Sequence, residues 1–166
     1  MRLEALIGVA LRKKGLTLGV AESCTGGLLS SAITDVAGSS DYFQGGVVAY
    51  ANGIKRSLLN VKASTLSSFG AVSKETAGEM ARAVRSALKV DISAAITGIA
   101  GPGGGTLEKP VGLVFIAISK GKRTTVKKFL FKGGRKSIKK QSAEAALTML
   151  AASLGIRLPL KIRNLF

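Results

Sequence analysis

Histidine is absent from this 166-residue chain, and cysteine occurs once, as Cys24. The first absence excludes a Ser-His-Asp triad and any histidine-ligated metal. The second excludes an intramolecular disulfide and a cysteine metal cluster, and it suits a cytoplasmic protein. No apolar run approaches the roughly 18 residues of a membrane span, so a membrane partner is not expected. There is no internal repeat and no low-complexity tract. The opening stretch, MRLEALIGVALRKKG, carries Glu4 and the basic run Arg12, Lys13, Lys14, and it reads as an amphipathic helix rather than a signal peptide. At this length, one domain over 1–166 is the simplest organisation, with 155–166 a basic and apolar tail.

Acidic residues are also scarce, nine against 25 lysines and arginines, for a formal net charge of +16. The imbalance is uneven. Between Glu108 and Glu144 there are eleven basic residues and no acidic one, and Arg157, Lys161 and Arg163 follow in the tail. Such asymmetry points to a polyanionic partner or a phosphorylated substrate. Aromatic residues suited to stacking on bases are few, Tyr42, Tyr50 and six phenylalanines, in no recognised RNA-binding pattern.

What is present alternates between helical and strand patterns. Leu3, Leu6, Ile7 and Ala10 share a face of a helix over 3–14 that Gly15 ends. A strand is predicted over 17–21, then a helix from Thr25 or Gly26 to about Val36, closed by Gly38. A compact buried strand is predicted over 45–50, and a short helix capped by Asn52 runs to about Leu59 with Lys55 in its first turn. Ser73 caps a longer helix to about Leu88, with Glu75 in its first turn. A strand over 92–96, a glycine-rich loop over 98–110, paired strands over 111–119 and 124–131 joined at Gly121, and a helix over 135–154 complete the chain. Strands alternating with helices argue an α/β sheet covered on both faces, and the final hairpin makes that sheet mixed. Three unusual loops, at Ser23, at Tyr50–Lys55 and at 97–110, each follow a predicted strand. Ligands of open α/β sheets bind outside the carboxyl ends of strands, so these loops define one expected site.

Without histidine, a nucleophilic serine must find another base, and lysine is the known variant. Ser23 sits at a strand-to-helix junction in AESCTGG, with Lys55 following 32 residues later. Two readings stand for Ser23. It is a nucleophile, with Gly26 and Gly27 letting backbone approach a ligand and helix amides holding an oxyanion or phosphate. Alternatively, Ser23 or Thr25 simply caps the next helix. Lys55 is either a base whose pKa is depressed near a helix N-terminus or an exposed surface lysine. Cys24 is a rival nucleophile or a small buried hydrophobe. Tyr50 relays a proton, stacks on a ring, or packs with its tip in water. The run TGIAGPGGGTLEKPVG, 97–112, matches neither the phosphate-loop nor the dinucleotide pattern, and it forms an amide-lined nest or a plain loop. Arg135 clamps a phosphate or begins a solvated basic helix.

AESCTGG, AGSSDYF (37–43), GGVVAYANGIK (45–55), GAVS (70–73) and TGIAGPGGGTLEKPVG, in that order, closely resemble the CinA C-terminal domain family, also known as nicotinamide-nucleotide amidases. The resemblance runs over about residues 3–152. It implies a three-layer α/β/α fold with a mixed sheet, similar to anticodon-binding domains. It also implies hydrolysis of nicotinamide mononucleotide to nicotinic acid mononucleotide and ammonia. By resemblance, Ser23 attacks the amide carbon, Lys55 is the general base and Tyr50 assists. Amides after Ser23 serve the oxyanion, and Thr25, Gly26, Gly27, Thr97, Gly98, Gly101, Gly103 and Gly104 surround the substrate. Lys109 and Arg135 are candidates for its phosphate. No metal or organic cofactor is expected, and a homo-oligomer is. This sequence departs from the family's pattern in three respects. Phe69 stands where many relatives carry histidine, Leu59-Asn60-Val61 replaces a glycine-centred triplet, and a molybdopterin-binding-like domain is not expected ahead of it. The alternative function is a non-catalytic nucleotide- or nucleic-acid-binding module that uses the basic 109–140 stretch.

Overall fold

The structure, a computed structural model, describes residues 2–157. The tail expected over 155–166 therefore lies largely outside the described residues. Five strands form one sheet in the order β2-β1-β3-β4-β5. They are β1 (Leu18–Glu22), β2 (Phe43–Val48), β3 (Ile92–Gly98), β4 (Leu113–Lys120) and β5 (Arg123–Leu130). β1 pairs parallel with both β2 and β3, whereas β4 runs antiparallel to β3 and to β5. This is the mixed, doubly covered sheet that the alternation of elements predicts.

One face carries helices α1 (Leu3–Lys14), α2 (Leu28–Thr34) and α6 (Arg135–Ser153); the other carries α5 (Lys74–Ala87), flanked by α4 (Ala63–Phe69). The period of two along the central strands decides which residues meet which layer. Leu18, Val20, Ile92, Ala94 and Ile96 join Ile7, Leu11, Leu29 and Leu150 in the first core. Ala21 and Ala95 turn the other way, to Ala77, Met80, Ala81 and Val84 of α5. Small residues on that face let α5 lie close, and the buried Ser93 hydroxyl donates to Ala81 O of α5 at 2.6 Å. Each fully buried Leu or Ile side chain contributes about 1.5–3 kcal/mol, so both faces anchor β1 and β3 firmly.

In several places the structure departs from the predicted elements. The helix expected from Thr25 or Gly26 begins at Leu28, after Gly27 turns the chain at φ +100°. Asn52 does not cap α3 (Asn52–Ser57); it is the first helical residue, and Ala51 precedes it without a side-chain cap. The strand expected to be compactly buried over 45–50 begins at Phe43 and is an edge, so alternate residues face solvent. Helix α4 was not anticipated. Its sequence, ASTLSSF, has little helix propensity, and Glu79 of α5 holds it in place by accepting from Lys62 N at 2.9 Å and Thr65 Oγ1 at 2.6 Å. Ser73 caps α5 as expected, accepting from Thr76 N at 3.1 Å. Asn60 stands at φ +49° just beyond α3, a left-handed position that asparagine tolerates in place of glycine.

The topology gathers one end of the molecule. β1 sends the chain to β2 on one side and β3 lies on the other, so the strand order reverses at β1. That is where a crevice opens at the carboxyl ends of parallel strands. Because β4 and β5 are antiparallel to their neighbours, the start of β4 and the β5–α6 connection lie at this same end.

Candidate active site

The turn after β1 is built around a residue that sequence reasoning passed over. Glu22 is wholly buried. Its Oε2 accepts from Gly27 N at 3.0 Å and Leu29 N at 3.1 Å, and its Oε1 accepts from Ser30 N at 2.8 Å and Ser30 Oγ at 2.7 Å. The carboxylate thus satisfies amides that a helix start leaves without partners. Neither Ser23 nor Thr25 caps α2, and three of the amides at its start, of Gly27, Leu29 and Ser30, are already engaged by Glu22. The only sequence signal was an acidic residue five positions ahead of a glycine-led helix.

Released from capping, Ser23 closes the strand. Its N–H donates to Ile96 O of β3 at 3.0 Å, and its carbonyl accepts from Gly26 N at 3.1 Å. Its hydroxyl lies 2.8 Å from Lys55 Nζ. Lys55, on α3, is 1% exposed. Side chains on a helix lean toward its N-terminus, which brings Nζ back over the end of β2. There Ala49 O at 2.8 Å and Tyr50 O at 3.2 Å accept from it. None of the carboxylates pairs with Lys55 in an ion pair among the described residues. Burial pushes the Lys55 ammonium pKa below its ordinary value, with the neighbouring Cys24 thiol acting in the opposite direction. Of the two causes expected from the sequence, a helix start and a desolvated site, desolvation is the one that lowers it. Cys24 is itself buried, and burial pushes its thiol up to about 11, the behaviour of an inert packing residue.

Ser23 and Lys55 open into a cleft of about 260 Å³ that Tyr50, Asn52, Thr97, Gly98, Gly101, Gly103, Gly104 and Arg135 help to line. Thr97 Oγ1 donates to Ala71 O at 2.8 Å, fixing the far wall. Arg135 crosses the mouth, donating from Nη1 to Gly101 O at 2.7 Å and from Nη2 to Tyr50 Oη at 2.9 Å. Gly101 stands at φ +74° with Val111 close behind, where a Cβ would come within 2.5 Å of Val111 Cγ1.

Four expected residues stand apart from this lining. Thr25 is buried beneath the turn, and its hydroxyl has no partner among the described residues. Gly26 and Gly27 shape the entry to α2. Lys109 Nζ donates to Phe69 O, pinning the glycine-rich loop to the end of α4. Of the basic residues in 109–140, only Arg135 lines the cleft. Arg123, Lys127 and Lys128 lie on edge strand β5, and Lys136, Lys139 and Lys140 on the first turns of α6. Asn52 is a lining residue that the sequence reading assigned only to capping.

The arrangement is that of a serine-lysine pair at the switch point of an α/β sheet. The CinA C-terminal domain family matches residues 1–154, and the chain belongs to that family. A Moorella thermoacetica protein with a competence-damage name is 52% identical over 152 residues, 92% of this chain and 37% of its own length. A CinA-like protein of Kosmotoga olearia is 49% identical over 152 residues, with the same coverage. The chain thus spans little more than a third of the length of these curated relatives. Among solved structures, the competence/damage inducible protein CihA of Agrobacterium tumefaciens superposes with a TM-score of 0.89 at 41% identity, covering 92% of this chain and 93% of its own. Among the described residues, no helix is long and apolar enough to cross a membrane.

Proposed function

We propose that the protein is an amidohydrolase that converts nicotinamide mononucleotide to nicotinic acid mononucleotide and ammonia through an acyl-enzyme on Ser23. The observation that carries this reading is the 2.8 Å contact between Ser23 Oγ and a lysine that is 1% exposed and has no carboxylate beside it. A neutral amine donates two hydrogen bonds, to Ala49 O and Tyr50 O, and turns its lone pair toward the Ser23 hydroxyl proton. An ammonium donates to all three oxygens. The same contacts therefore serve both protonation states, and the proton moves along one short path.

Ser23 Oγ attacks the carboxamide carbon as Lys55 takes its proton. The Ser23 amide is engaged by Ile96 O, the Gly26 amide by Ser23 O and the Gly27, Leu29 and Ser30 amides by Glu22, which leaves the Cys24, Thr25 and Leu28 amides as the turn's candidate donors for the oxyanion. Lys55 then protonates the departing nitrogen, ammonia leaves, and Lys55 activates the water that hydrolyses the ester. The substrate's phosphate falls to Arg135 at the mouth, a planar guanidinium suited to a bidentate contact. Tyr50 sets the orientation of that guanidinium through its hydroxyl.

The test is ammonia release from nicotinamide mononucleotide by the purified protein beside Ser23→Ala. Release that vanishes in the variant supports the reading. Equal release from both would sink the serine mechanism, and no release from either would remove this substrate.

A further inference from the structure

Glu22 is a fully buried carboxylate that faces four donors and does not line the cleft, yet it is the residue immediately before Ser23. A buried charge persists only where it is densely hydrogen-bonded. The donors here are not spread over the protein. Three are backbone amides of Gly27, Leu29 and Ser30, and the fourth is the Ser30 hydroxyl, all at the entry to α2. Glu22 therefore ties the last residue of β1 to the first turn of α2 across the five-residue span that contains the nucleophile. Two further bonds close the loop from inside, Ser23 N to Ile96 O and Gly26 N to Ser23 O. Resting on the Ser23–Lys55 reading above, we propose that Glu22 is the positioning residue of the nucleophile. It fixes the backbone of the 23–27 turn so that Ser23 Oγ stays on Lys55 Nζ.

The geometry separates this role from simple support of the fold. A structural group would change how much protein is folded. A positioning group changes the rate of the folded protein, because a misplacement of about 1 Å costs on the order of 100-fold. Glu22→Gln keeps the size but offers one carbonyl oxygen where two carboxylate oxygens accept, and it aims an amide N–H₂ at other donors. Ser30→Ala removes only the 2.7 Å hydroxyl donor and leaves the three amide bonds in place.

Two readouts are taken at a temperature where every protein is fully folded by circular dichroism. One is kcat and KM for ammonia release from nicotinamide mononucleotide. The other is the rate at which a fluorophosphonate phosphonylates Ser23, read by intact mass as an Oγ–P bond forms and fluoride leaves. Glu22→Gln is expected to lower kcat and the phosphonylation rate ~10–100-fold with KM within about twofold, and Ser30→Ala to lower both rates ~2–5-fold in the same pattern. Folded Glu22→Gln that reacts at the wild-type rate overturns the proposal. Should that variant fail to fold, wild-type rates in Ser30→Ala overturn it instead. Wild-type phosphonylation without ammonia release breaks the nicotinamide reading alone. An unreactive Ser23 in the wild type breaks both.

Discussion

At the carboxyl ends of β1 and β2, one acidic and one basic side chain are withdrawn from water, Glu22 and Lys55, and their surroundings differ in kind. Glu22 meets four donors, three of them amides of one helix start. Lys55 meets three oxygens, two carbonyls and a hydroxyl, with no carboxylate. The first environment stabilises a charge and immobilises it. The second is indifferent between charge and neutrality, and burial tips it toward the neutral amine. Glu22 braces the turn that carries Ser23, whereas Lys55 meets the Ser23 hydroxyl itself.

The largest effect should come from breaking the switchable half. Lys55→Met is expected to lower kcat/KM for ammonia release by ~10³-fold or more. Lys55→Arg should be equally inactive, because arginine does not give up its proton. In the wild type, kcat/KM should rise with pH through the lowered Lys55 pKa, below the ordinary 10.5, as the amine becomes neutral. A pH profile that is flat up to 10 would contradict Lys55 as the base.

The same group gives a stability test with a definite sign. Between the lowered folded pKa and 10.5 the unfolded chain binds a proton at Lys55 that the folded chain does not. Wild-type stability should therefore rise with pH across that window relative to Lys55→Met, by about 1.4 kcal/mol for each unit of lowering. Denaturant unfolding of both proteins between pH 7 and 10 checks this, and parallel curves would mean that Lys55 is not desolvated.

The rigid half is compared with an ordinary cap. Glu22→Ala leaves three amides and a hydroxyl unpaired in a buried turn, and it is expected to cost about 3 kcal/mol or more of unfolding free energy. Ser73→Ala removes a single-hydroxyl cap from α5 and should cost ~1 kcal/mol. If the two losses are equal, the four donors of the turn find other partners once the carboxylate is gone. A smaller effect is expected at the mouth, where Arg135→Ala should raise KM about tenfold with kcat little changed, as loss of one charge-assisted phosphate contact predicts. A fall in kcat with KM unchanged would move Arg135 from substrate binding to the chemistry.

Much of the fold was legible because its signals are local. The spacing of Leu3, Leu6, Ile7 and Ala10 and Gly15 mark α1, Ser73 and Glu75 mark the start of α5, and Gly121 marks the β4–β5 hairpin. Helix α4 was not legible, since Glu79 of another helix holds a serine-rich segment that would not form a helix by propensity. The exposure of β2 was hidden as well, because Val47 and Val48 read alike until the sheet order makes this strand an edge. At the site, Ser23, Lys55, Tyr50, Thr97, the loop glycines and Arg135 were found from motifs and do meet at one cleft. Thr25 and Lys109 carried the same motif signal and do not, for one is buried away from the lining and the other is spent on Phe69 O.

By itself the sequence determined the available chemistry. With no histidine and one cysteine, it excluded a Ser-His-Asp triad and a cysteine metal cluster, and the alternation of strands and glycine-led helices determined an α/β sheet. That Ser23 and Lys55 meet, and that burial lowers the Lys55 pKa, were decided only by tertiary structure. Hydrogen bonding and desolvation depend on neighbours distant in the chain. Lys55 is a base candidate because β2 and the β1 turn enclose its Nζ, and Ser23 is free to be a nucleophile because Glu22, not Ser23, closes the start of α2.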